Sequence, residues 1–172
     1  MNRTRRIVII GLLVSLGLIL HFVETMIPMS YIVPGAKLGL ANIVSLIGLV
    51  LFGFGGGLLI LLLRVFLGSI MAGTFLTINF YLSISGGLLG YIIMALLYTF
   101  LRKRFSLVGV SVAGAAFHNL GQIIVAFFII SNPGIFYYLP FLILLSVPTG
   151  IGVGLVTYFS LNNIPQNIIR RV

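Results

Sequence analysis

Leu51-Phe52-Gly53-Phe54-Gly55-Gly56-Gly57-Leu58 is the stretch whose reading decides the fold. An apolar run of about 37–52 leads into it and another of about 58–72 leads out. Each is short for a membrane helix, which needs about 20 mostly apolar residues. Read through, they make one long interrupted span; broken at the glycines, they make two. Charge decides between the two readings. Arg3, Arg5 and Arg6 precede the first apolar run, Arg102, Lys103 and Arg104 follow a later one, and Arg170 and Arg171 come after the last. Basic residues flanking membrane spans collect on the cytoplasmic side. Placing the first two clusters on one side requires an even number of crossings between them, and only a break at the glycines supplies it. The stretch is therefore expected to be a tight cytoplasmic turn.

The resulting expectation is an all-α integral membrane protein, a six-transmembrane-helix bundle with N and C termini cytoplasmic. It forms one transmembrane domain over 1–172, with spans at about 6–27, 37–52, 58–72, 76–101, 107–130 and 136–161. Composition agrees: 60% of residues are hydrophobic and only 6% charged, where soluble domains carry roughly a quarter charged. A multi-pass protein of the cell membrane is the expected setting. The net charge of +9 does not indicate nucleic acid, because the basic residues stand in short knots beside apolar runs rather than on a polar folded face. Without cysteine there is no disulfide, thiolate metal site or thiol nucleophile. The basic start followed by the apolar run 7–23 resembles a signal peptide, but that run is long and no A-x-A-like site follows it. A retained first span is expected.

Small residues recur at four-residue spacing: Gly11 and Ser15, Gly86 and Gly90, Gly109 and Ala113, Gly150 and Gly154. Such pairs let helix backbones approach closely in lipid. They also arise by chance in any glycine-rich membrane protein, and that reading is preferred here for all but Gly11 and Ser15. Pro140 and Pro148 are expected to bend the last span, freeing backbone groups that must be met inside the protein.

Ionisable and polar residues within spans need partners or a wet cavity. Arg64 falls mid-way along the third run, and Lys37 opens the second at its outer end. The chain has no aspartate, and its one acid is Glu24, near the outer end of the first run. A structural ion pair between Glu24 and Arg64 is one reading. It still leaves an excess of positive charge on the outer half, suited to an anionic ligand, unless Lys37 snorkels to the headgroups. On the fifth span, His118, Asn119 and Gln122 share one helical face. Interhelical hydrogen bonds explain such a face, and lining a cavity explains it slightly better. Asn42, Asn79, Tyr81 and His21 are further polar candidates, and Tyr137 and Tyr138 sit where an interfacial belt belongs.

Several chemistries drop out. Without aspartate there is no carboxylate pair for acid–base work and no Asp-rich Mg²⁺ site. His21 and His118 alone are a thin basis for a metal, and the glycine stretch lacks the Lys-Ser/Thr ending of a phosphate loop. No catalytic residue, metal or cofactor is expected, and the protein is read as a non-enzyme.

Val33-Pro34-Gly35-Ala36-Lys37-Leu38-Gly39-Leu40-Ala41-Asn42-Ile43, followed by Leu51-Phe52-Gly53, resembles the substrate-binding S components of energy-coupling factor (ECF) transporters. Those proteins have a Pro-Gly-x-Lys-Leu-like opening of the second helix and a Phe-Gly turn. Ser85-Gly86-Gly87-Leu88-Leu89-Gly90 and Ala113-Gly114-Ala115-Ala116-Phe117-His118-Asn119-Leu120-Gly121-Gln122 look closer still to one family. It is the small membrane family labelled heptaprenyl diphosphate synthase component I, also called the Gx transporter family. The resemblance covers roughly 6–159.

The ECF resemblance implies a six-helix S-component fold that binds its substrate near the outer face. It also implies a first helix that docks, through small residues, on a coupling subunit carrying two cytoplasmic ATPases. Gly11 and Ser15 match that stripe, although alanines are more typical of it. The synthase label sits badly with the residues, since prenyl diphosphate synthases of the usual kind hold Mg²⁺ with aspartates. The expected function is therefore a substrate-binding membrane subunit of an ECF-type importer. Its substrate is expected to be a small vitamin-like or isoprenoid/quinone-precursor molecule, anionic in character. Lys37, Arg64, Asn79, His118, Asn119 and Gln122 are the candidate substrate-binding residues. The alternative is a non-catalytic membrane accessory subunit of polyprenyl diphosphate or quinone biosynthesis. Expected partners are the lipid bilayer, the small-molecule substrate and the ECF module, with no nucleic acid.

Overall fold

The computed structural model describes residues 3–26 and 39–164, Thr25 by its backbone alone. Lys37 lies outside the described residues. Within them the protein is all-α: α1 (Arg3–Met26), α2 (Asn42–Met71), α3 (Ile78–Phe100), α4 (Leu107–Ile130), a 3-10 turn (Pro133–Tyr138) and α5 (Leu139–Asn163). Five segments among the described residues are long and apolar enough to cross a membrane. Many large apolar side chains, among them Leu12, Phe22, Phe128 and Leu144, stand exposed on the outside of the bundle. That surface suits lipid rather than water, and the chain is a multi-pass membrane protein.

Helix α2 is two arms rather than one rod. Gly53 sits at φ 71°, ψ −169°, outside helical geometry and in a region that favours glycine. A continuous helix would hold residues 42 and 64 about 33 Å apart at 1.5 Å per residue. Instead the Arg64 Nη2 donates to Asn42 Oδ1 at 3.0 Å. Gly48 and Gly57 also meet, so that a Cβ on Gly48 would lie 3.1 Å from the Gly57 Cα. The chain therefore folds back at Gly53, as the glycine stretch suggested. The turn is tighter than expected, because Phe54 through Gly57 already belong to the returning arm. Tyr91 of α3 fixes this turn: its buried phenol donates to the Phe54 carbonyl at 2.6 Å, and the two rings lie 5.7 Å apart.

α1 runs antiparallel to the first arm. The Arg6 guanidinium lies over the Phe52 ring at 5.8 Å, and at the other end the Gly39 N–H donates to Glu24 Oε1. The most extensive packing joins α3 to α4 and α4 to α5. Glycines make that closeness possible. A Cβ on Gly90 would lie 2.6 Å from the Gly114 carbonyl oxygen, one on Gly150 2.5 Å from the Val112 Cα, and one on Gly154 2.6 Å from the Val108 Cα. The pairs Gly86/Gly90 and Gly150/Gly154 are thus true helix crossings, which corrects their reading as chance spacing. Gly109 has only loose neighbours. Pro140 is also corrected: it occupies the first turn of α5, where its missing N–H removes no helical bond, and Pro148 alone lies inside the helix.

Candidate functional site

The polar residues gather where the start of α2 meets the middle of α4 and α5. Gly39 opens this region with φ +72°, and its hydrogen-bonding groups are both engaged: the N–H by Glu24, the carbonyl by the Asn42 N–H at 2.8 Å. A Cβ on Gly39 would lie 3.1 Å from Asn42 Nδ2, so glycine here sets the place of the Asn42 amide. Asn42 in turn lines a small cavity of about 20 Å³, about the room that one water needs. Ser111, His118 and Asn119 of α4 and Thr149 of α5 supply its other polar walls, and Met94 and Val153 are among its apolar ones.

Arg64 reaches this cavity through Asn42. Its side chain is 8% exposed, an unusual burial for a cation. The returning arm of α2 carries it inward, and Gly17 of α1 makes room for its stem. A Cβ on Gly17 would sit 2.9 Å from Arg64 Cδ and 2.8 Å from a Val44 methyl. The Arg64 Nε has no hydrogen-bond partner among the described residues. Glu24 acts on Arg64 through its charge, while its Oε1 accepts from the Gly39 backbone.

The shared face of His118, Asn119 and Gln122 divides on folding. Asn119 is buried, and its Nδ2 donates to the Leu142 carbonyl at 2.8 Å, tying α4 to α5 beside the cavity. Gln122 turns toward α3, where a Cβ on Gly86 would meet its Cγ at 2.7 Å. Its Oε1 is buried without a hydrogen-bond partner among the described residues. His118 lies between these directions, lining the cavity while its ring packs beside Gly86. Asn79 is exposed at the start of α3, away from the cluster. Gly11 and Ser15 are exposed on α1, with nothing within 4 Å of a Cβ placed on Gly11.

Structure adds three residues to the site: Asn42 as a direct partner of Arg64, and Gly17 and Gly39 as the gaps that admit them. Asn42 is visible in sequence only as one more asparagine near a helix start. Gly17 belongs to none of the four-residue pairs, and only an intramembrane arginine in need of space hints at it.

The family model for heptaprenyl diphosphate synthase component I matches residues 13–160, and the chain belongs to that family. No curated protein and no solved structure matches the chain.

Proposed function

We propose that this protein is the substrate-binding membrane subunit of an ECF-type importer, and not itself a catalyst. Its six crossings leave both termini in the cytoplasm, with the two arms of α2 counted separately. The Arg6 contact with Phe52 supports this, because it puts the first basic cluster beside the Gly53 turn. One observation carries the functional reading: a buried cation whose Nη2 bonds a neutral amide and whose Nε has no hydrogen-bond partner among the described residues, beside a polar cavity inside an otherwise apolar bundle. A basic residue at the bilayer centre costs at least ~2.5 kcal/mol on insertion scales, and packing alone gives no reason to bear that cost. The cavity is water-sized, so a vitamin-like or isoprenoid-like substrate enters as the outer helix ends part. Arg64, His118 and Asn119 then orient it, with Lys37 and Gln122 as further polar contacts. Exposed Gly11 and Ser15 leave α1 open to a coupling subunit.

The family's name favours a second reading, a non-catalytic membrane accessory subunit of polyprenyl diphosphate or quinone biosynthesis. A tagged pull-down in mild detergent separates the two. Recovery of a membrane coupling subunit with two ATPases supports the importer. Recovery of a soluble prenyltransferase without them overturns it.

A further inference from the structure

The guanidinium of Arg64 offers an incomplete fork. Its Nε–H and the outer Nη2–H are parallel donors, the pair that grips the two oxygens of a carboxylate or phosphate side-on. Asn42 Oδ1 accepts from Nη2 at 3.0 Å, and the buried Nε has no hydrogen-bond partner among the described residues. Here the single amide oxygen of Asn42 bonds Nη2 and leaves Nε unmet by any described residue. The chain has only one acidic side chain, Glu24, whose Oε1 accepts from Gly39 and whose charge acts on Arg64. Asn42 also stands on the cavity wall, so the weak partner of the cation is the group that an incoming ligand meets first.

We propose that Asn42 is a place-holder for the ligand: an oxyanion entering the cavity displaces the Asn42 amide from Arg64 and takes both tines of the fork. This rests on the substrate-binding reading above and narrows it to molecules bearing a carboxylate or phosphate group. A charge-assisted two-point contact is roughly twice as strong, per bond, as a neutral amide contact, so the exchange runs toward the ligand. Asn42 is then the residue that sets specificity, holding Arg64 in position without neutralising it. No proton moves, and the step is a change of hydrogen-bond partner. The freed amide of Asn42 remains beside the ligand as a further donor.

Asn42→Asp tests this with little change of shape. It places a permanent carboxylate on Arg64 and adds an acid at a helix N-terminus, where negative charge is favoured. Purified full-length protein in lipid nanodiscs is titrated with matched probes: benzoate against benzamide, and phenyl phosphate against phenol. Thermal unfolding confirms that each variant is folded. Wild type is expected to bind at least one oxyanion of these pairs at least about tenfold more tightly than its neutral partner, a 1.4 kcal/mol preference. Asn42→Asp is expected to unfold no lower than wild type and to lose that oxyanion binding. Asn42→Ala, which removes the competitor, is expected to keep or strengthen it. Equal binding of oxyanion and neutral probe, or undiminished oxyanion binding by Asn42→Asp, overturns the place-holder while leaving the substrate-binding reading in force. Absence of binding by every probe to wild type overturns the oxyanion assignment. If that blank extends to a wider panel of vitamins and quinone precursors, the substrate-binding reading falls as well.

Discussion

The two sides of this bundle differ in what they add to close backbone packing. Along α3, α4 and α5, backbones meet at glycines so closely that a single added methyl would lie 2.5–2.8 Å from main-chain atoms. Along α1 and the folded α2, glycines again bring backbones together at Gly48 and Gly57, but a buried cation and its neighbours are added: Glu24 with Gly39, Arg64 with Asn42, and the Arg64 stem in the notch at Gly17. In lipid the hydrophobic effect gives helices little reason to associate, so close van der Waals contact must do so. The glycine side uses that contact fully and behaves as a scaffold. On the polar side, part of that packing is replaced by a cation with a donor that no described residue fills, an arrangement that makes sense where something must bind or move.

Single substitutions can break that contrast. Gly150→Val forces side-chain carbon into the Val112 backbone and is expected to cost about 3 kcal/mol, read as a collapse of the thermal transition in detergent. Gly152, two residues on, has open space around it. Gly152→Ala is expected to change stability by less than about 0.5 kcal/mol, and a similar loss from both variants would deny the scaffold its specificity. Gly17→Ala is expected to cost about 1–2 kcal/mol, less than Gly150→Val because the Arg64 stem can shift, and to weaken ligand binding as Arg64 is displaced. Tyr91→Phe removes one hydrogen bond at the Gly53 turn and is expected to cost about 1 kcal/mol by the same thermal readout. Gly11→Leu is expected to leave the isolated protein's stability within about 0.5 kcal/mol while reducing recovery of the coupling subunit in a pull-down.

These residues also mark which features the sequence carries by itself. Apolar length and basic clusters located the helices, because both act on each segment separately. The reversal at Gly53 was legible for the same reason: glycine density and charge parity are properties of the chain itself. What pairs with what is a property of two helices at once. Gly86/Gly90 and Gly150/Gly154 therefore looked no different from Gly109/Ala113, although only the first two pairs meet a neighbouring backbone. The face shared by His118, Asn119 and Gln122 was legible as a period, yet neighbouring helices on two sides draw its members apart. Asn42 was visible only as one polar candidate among several, since nothing local shows that an arginine twenty-two residues later will return to it. Asn79 had equal standing in sequence, and it lies exposed at the end of its helix.

The central claim is that Arg64 is buried for a ligand rather than for the fold. Replacing a buried ion pair as a whole by apolar side chains is often neutral or stabilising, whereas removing one charge costs stability through the partner it leaves behind. Glu24, which acts on Arg64 through its charge, keeps its bond from the Gly39 N–H. Native mass spectrometry of wild type and Arg64→Met, released directly from membranes and both checked for thermal stability, tests this most directly. Arg64→Met is expected to unfold within about 1 kcal/mol of wild type or above it. Wild type is expected to carry a small-molecule adduct that the variant lacks. An Arg64→Met protein that fails to fold, or an adduct that survives the substitution unchanged, would contradict the claim.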